Sequence, residues 1–379
     1  APERLAGQGC ARRCFRCMRP RGGNGGSSSG AWKRWEGALW ELRNLTPYAA
    51  ERQFLRDVDG AEMWTVAVRA AFDLCPDGAT RVSEQQVDVR RSPAYTGRPG
   101  ASSLLEETDF TLPKPAVDVL VRGHACMPDE APGERLNIAV TIGGYTKTAV
   151  VVGDRVWERH LGHLVASAPQ PFRRMPVTYE HAFGGADLLS DRSGRARLAE
   201  NPVGKGFGER AEHLVDGPLP NIECAAHPIA AWNQRPKPVG FGPIARDWEP
   251  RAALAGTYDE RWFETRRPLW PTDLSPRFHQ CAPVDQQIEG LRGGEPISLA
   301  GFSPTGPIRF RLPRVALGVR TRLGNETVEQ RATLSTVIVD ADAMQVVLVF
   351  ASHLRCHGRD HEVLRTTIWE KEIVSGASS

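Results

Sequence analysis

The chain has 379 residues, 41% of them apolar, with 48 Lys+Arg against 45 Asp+Glu and a formal net charge of +3. The basic excess sits in residues 1–38, which hold eight Lys+Arg against Glu3 and Glu36, so this stretch carries +6 and the remainder 3 − 6 = −3. A folded part that is net acidic lacks the basic footprint of a nucleic-acid binder, and the absence of any apolar run of about 18 residues excludes a membrane-spanning helix.

Residues 1–38 read as a disordered leader. Gly22–Gly30 is Gly/Ser low complexity, which buries too little to repay ordering. Its GSSSG fits G-x-S-x-G by chance, with no strand before it and no helix after it. Cys10, Cys14 and Cys17 form a C-x3-C-x2-C cluster without the fourth ligand of a structural zinc site. No apolar h-region follows the arginines, so no secretory signal is expected and a cytoplasmic location is.

From Trp40 the pattern is β. Trp64, Val66, Val68, Ala70, Phe72 and Leu74 alternate with Thr65, Ala67, Arg69, Ala71 and Asp73, the period of two that places one face in a core. Further strands are expected at 82–90, 117–126, 135–142 and 145–152, with Gly143-Gly144 as a hairpin turn between the last two. Residues 39–157 thus form a β-rich first portion.

Residues 158–290 change character, with Pro and Gly recurring every few positions and breaking both helix and strand. Short helices are expected only near 250–264 and 284–290. The densest part is 236–287, where Phe241, Trp248, Tyr258, Trp262, Phe263, Trp270 and Phe278 are interleaved with glycines and prolines. So much aromatic area implies an ordered irregular segment that covers a core or meets a partner. In Gly240-Phe241-Gly242-Pro243 a ring stands between two glycines ahead of a proline, and Phe241 reads as a wedge into the protein's own core. Trp248, Arg251, Tyr258 and Trp262 are the better candidates for partner contacts.

After Gly294 the β pattern resumes, with strands expected at 297–302, 308–312, 315–321, 327–340 and 345–354 and a turn at Asp340-Ala341-Asp342-Ala343. Val337-Ile338-Val339 and Val346–Phe350 are apolar on successive residues, as in strands buried on both faces. The expected fold is mainly β, a sandwich or barrel-like arrangement in which two β portions bracket an irregular middle of few short helices. Residues 39–370 are taken as one domain and 371–379 as a flexible tail. One sheet system or two small domains, and any oligomeric state, are left open.

No catalytic template is complete. Gly204-x-Gly206 and Gly240-x-Gly242 do not extend to G-x-G-x-x-G. His353, His357 and His361 are four apart, but Gly358 lies among them and the segment leaves a strand. His160 and His163 have no carboxylate company, and Asp247, Glu249, Asp259, Glu260 and Asp285 belong to a generally acidic background. The scattered Cys75, Cys126, Cys224, Cys281 and Cys356 suit reduced thiols. No cofactor and no metal are expected.

Segments such as WELRNLTPYAAER (40–52), DGAEMWTVAVRAAFDL (59–74), MPVTYEHAFGG (175–185), ENPVGKGF (200–207), LPNIE (219–223), GFGPIARDWEPR (240–251) and APVDQQ (282–287) occur in the order of a known bacterial family. From Leu39 to about Ile368 the chain resembles domain of unknown function 2169. The resemblance implies a non-enzymatic accessory of type VI secretion, a chaperone or adaptor whose partners are a toxin effector and the secretion spike. It transfers no catalytic residue. Asn201, Pro202, Gly204, Gly206, Asn221, Gly240, Phe241, Gly242, Pro243, Asp285 and Gln286 lie in its motifs and are expected to be structural. The alternative is an enzyme or carbohydrate-binding module with a cleft in the central section.

Overall fold

The computed structural model describes residues 39–193 and 195–372. The readings of the leader, its GSSSG and its cysteine cluster lie outside those residues, as does most of the tail. The described residues form one compact unit, mainly β, with a single α-helix, Glu260–Thr265, among them.

The two β portions build their sheets jointly. In the largest, of seven strands, the order is Gln287–Ile288, Val117–Arg122, Thr333–Asp340, Gln345–Arg355, Glu62–Leu74 and Ala49–Arg56, with Thr80–Val82 also on Glu62–Leu74. The central pair is antiparallel from Gln345↔Asp73 to Arg355↔Met63, and Val117–Arg122 runs parallel to Thr333–Asp340. A five-stranded sheet orders Ile222–Glu223, Tyr145–Val152, Arg135–Ile142, Pro296–Ala300 and Ile308–Arg311. A four-stranded sheet orders Glu41–Asn44, Val363–Glu370, Leu317–Leu323 and Glu326–Arg331. None closes into a barrel among the described residues.

One core joins all three sheets. Trp64, Val68, Val119, Val337 and Leu348 from the large sheet meet Ile138, Val140, Val151, Ile297 and Leu299 from the five-stranded sheet and Leu317, Val319 and Ile368 from the four-stranded one. The Trp64 indole donates to Thr366 Oγ1 at 2.8 Å. The opposite face of the large sheet is covered by chain: Ala71, Leu120, Ile338 and Val347 pack on Cys281 and Ala282, and Ala67 on Val89 and Phe110.

Both faces of Glu62–Leu74 are therefore buried, where alternation alone predicts one. Arg69, 1% exposed, lies on the second face with its guanidinium 2.6 Å from Glu106 and 3.4 Å from Asp109. Burial without these carboxylates would be prohibitive for a charge.

The expected strand at 82–90 does not form beyond Val82. Gln86 replaces it: its amide Nε2 donates to Ala71 O at 3.1 Å and its Oε1 accepts from Ala71 N–H at 2.9 Å, so one side chain serves as a strand partner. The 117–126 strand breaks at Gly123, which has φ +140°, into Val117–Arg122 and His124–Cys126. The 327–340 strand breaks at Ala332, whose N–H goes to Leu317 O. The Gly143-Gly144 hairpin is present, with Tyr145 opposite Ile142. Near 250–264 the chain makes a 3-10 turn, Ala252–Leu254, and then the helix; 284–290 holds only the turn Val284–Gln286 and the strand Gln287–Ile288.

Candidate functional site

The central section is pinned to the sheets largely by side chains that bond to backbone. Gln286 donates to Val119 O at 2.7 Å and Phe241 O at 3.0 Å, and Val121 N–H also donates to Phe241 O. Asp118, buried beside Lys114 at 2.8 Å, accepts the N–H groups of Cys281 and Ala282, which seats the 282–287 motif on the large sheet. Asn201 donates to Tyr179 O at 2.8 Å and Phe183 O at 3.0 Å. Asn221 donates to Val152 O and Asp154 Oδ1 and meets His181 Nδ1 at 2.9 Å. Gly206 has φ +92° with Pro220 against it, and a Cβ on Gly204 would stand 2.4 Å from the Asn201 amide. Pro202 is half-buried in the same turn and Pro243 is buried.

Phe241 is fully buried, its ring edge-on to Phe302 at 6.1 Å, as the wedge reading expects. The close approach it needs falls at Gly240, where a Cβ would lie 2.3 Å from the Tyr179 ring; at Gly242 the space is open.

Two of the four candidate partner contacts are corrected. Trp248 is 3% exposed and packs edge-on against Tyr179 at 5.5 Å. Arg251, also 3% exposed, donates to Phe278 O and Ile244 O and pairs with Glu107 at 2.7 Å. Both are internal props, since an aromatic and an arginine paired with a carboxylate suit a core as well as an interface. Burial would raise the Glu107 carboxyl, but Arg251 and Arg246 hold it below its ordinary value. Tyr258 remains exposed and Trp262 half-buried. They stack edge-on at 4.6 Å, Tyr258 just before the short helix and Trp262 on it, where Asp259 caps Trp262 N–H at 2.8 Å and the Trp262 indole donates to Leu269 O.

Tyr258 and Trp262 do not line a cleft of about 1170 Å³ formed by the central section and the five-stranded sheet. It is lined by the strand residues Thr146, Lys147 and Thr148, by Pro236–Gly240, by buried Pro283 and exposed Val284 and Asp285, and by Cys224, His227, Glu200 and Glu249. Of the motif residues, Gly240 and Asp285 reach it. At its floor Lys147 Nζ donates to Gly240 O at 2.6 Å, Gln286 Oε1 at 2.8 Å and Asp285 Oδ1 at 2.9 Å, and it lies 5.1 Å from the Phe241 ring centroid. Burial depresses the Lys147 ammonium, and Asp285 opposes that shift; burial raises the phenol of Tyr179, which also lines the cleft.

Sequence reasoning missed Lys147. Its signal was present: in YTKTAVVV it shares the inward parity of Ala149 and Val151, and a lysine on a core face needs buried acceptors. Cys224 Sγ lies 3.7 Å from His227 Nδ1, but among the described residues no three His, Cys, Asp or Glu side chains are placed to hold a metal.

No curated protein and no solved structure matches the chain. Residues 59–351 match the family model described as an uncharacterized protein conserved in bacteria, DUF2169, and the chain belongs to that family.

Proposed function

We propose that the protein is a non-enzymatic adaptor of type VI secretion that holds a segment of a toxin effector and helps load it onto the spike. The cleft carries this reading. At about 1170 Å³ it exceeds the roughly 300–1,000 Å³ typical of small-molecule pockets, and its wall includes Pro228, Pro236, Pro238, Pro250 and Pro283. Such a wall is stiff before binding, so little ordering entropy is lost when a chain segment enters. Lys147 at the floor has its three protons engaged, which suits a positioning role better than proton transfer.

Co-expression with a cognate toxin tests the reading. The expected outcome is a complex that survives gel filtration, and loss of secretion of that toxin alone when the protein is deleted. Val284, 70% exposed and lining the cleft, offers a local probe: Val284→Asp should weaken the complex about tenfold or more, as for a lost interface anchor, with an unchanged melting temperature. Turnover of a small substrate or retention of a sugar, without a stable protein partner, would replace the adaptor by an enzyme or carbohydrate-binding module.

A further inference from the structure

One wall of the cleft is an unfinished sheet edge. Tyr145–Val152 pairs along its whole length with Arg135–Ile142 on one side, whereas on the other, among the described residues, only Val150 and Val151 find strand partners, in Glu223 and Ile222. The parity of the free edge is fixed by Val152. Its N–H donates to Asn221 O at 2.7 Å and its carbonyl accepts from Asn221 Nδ2 at 2.9 Å, so its backbone groups face outward. Antiparallel alternation gives the same orientation to Thr148 and Thr146, which are exposed and line the cleft.

Another segment lining the cleft is ill suited to close this edge. It reads Pro236-Lys237-Pro238-Val239, and each proline lacks the N–H that a ladder needs. The protein already adds a strand to this same edge with its own Ile222–Glu223, and that addition stops where the cleft begins.

We propose that the cleft binds an extended segment of a partner polypeptide by strand addition to Thr146 and Thr148, continuing the line begun by Ile222–Glu223. This rests on the adaptor reading and names the form in which the partner is held. Main-chain bonds supply affinity independent of sequence, and alternate side chains supply selectivity. A partner residue opposite Lys147 points to the same face as Lys147, whose Nζ meets Gly240 O and Asp285, in a cleft also lined by Val239, Pro283 and Val284. The segment therefore carries apolar residues at every second position and has no proline where its N–H must reach the edge.

The test uses the full chain, immobilised and panned against a displayed library of random peptides of about eight residues, enough to span the edge. Thr148→Pro removes one outward N–H without touching the ladder to Arg135–Ile142, and Thr148→Ala removes only the side chain. Enriched peptides should alternate apolar and polar residues and bind Thr148→Pro about tenfold more weakly, or worse, than Thr148→Ala, the worth of a lost hydrogen bond. If Thr148→Pro melts early, N-methylation of alternate peptide amides replaces it and should abolish binding in one register only. Peptides indifferent to both changes, or no enrichment at all, would overturn the proposal. So would a wild-type dimer that Thr148→Pro converts to monomer, since the edge would then serve a second copy. A toxin complex unaffected by Thr148→Pro sinks the strand-addition idea and leaves the adaptor standing; peptides captured on the edge without any toxin complex do the reverse.

Discussion

At the scale of single residues, the most consequential side chains are those whose polar atoms or rings are fully enclosed. Phe241→Ala removes a ring with no exposure from between Phe302 and Lys147 and should cost about 3–5 kcal/mol of folding stability, read by urea denaturation; an unchanged midpoint would show that the ring is not part of the core. Two histidines give the fold a pH dependence. Burial, with Arg246 and Arg251 adding to it, lowers His279 to about 4, and burial alone does the same for His353. The unfolded chain takes those protons near 6.5, so between about 6.5 and 4 it binds more protons than the fold, and stability falls as pH falls. Asp109 opposes them: burial raises it to about 6 despite Arg69, so in the fold it is protonated earlier and gains stability as pH drops through the same window. His279→Phe, placed between the rings of Trp270 and Phe278, should flatten the loss measured between pH 7 and 4.5; an equally steep loss would assign it elsewhere. Phe241 was legible as an internal wedge because glycines flank it. Trp248 and Arg251 were not legible as internal, because the same residue types serve cores and interfaces and only the positions of Glu107, Phe278 and Tyr179 decide between them.

Among elements, the long apolar strands were readable from periodicity, and the places where strands stop were not. At 82–90 the reason is that an amide side chain substitutes for backbone, and the same device recurs in the central section. Gln86 completes a ladder at Ala71, Gln286 joins Val119 to Phe241, and Asn201 gathers the carbonyls of Tyr179 and Phe183. Nothing in a pattern of apolar and polar residues distinguishes such an amide from a solvated one. Gln86→Ala leaves the Ala71 N–H without a partner inside the fold, while the Ala71 C=O keeps the Ser83 N–H, and should cost about 1–3 kcal/mol in a denaturant titration while leaving the β content seen by circular dichroism intact. A neutral substitution would mean that water takes over the lost bond. The motif residues Asn201, Asn221 and Gln286 could be picked out as special from the sequence, but their work as clamps became visible only with their acceptors in place.

For the molecule as a whole, the sequence implied a β-rich start and finish around an irregular middle, and left open how the two related. Their strands alternate within one sheet: Glu62–Leu74 lies beside Gln345–Arg355, and Val117–Arg122 beside Thr333–Asp340. Pairing between strands so far apart along the chain leaves no periodic trace in either. The β structure should therefore melt in a single transition by calorimetry, and truncation after residue 294 should leave the first portion unfolded rather than folded as a smaller domain; an independent early transition would divide the sheet. The order of those strands also sets a timetable for biogenesis. Glu62–Leu74 leaves the ribosome with its long partner still uncoded by some 270 residues, an interval on the order of tens of seconds at bacterial elongation rates. Throughout that interval a strand made for burial on both faces has only Ala49–Arg56 and Thr80–Val82 as neighbours, so the nascent chain is itself a client for whatever shields hydrophobic sequence until translation nears its end.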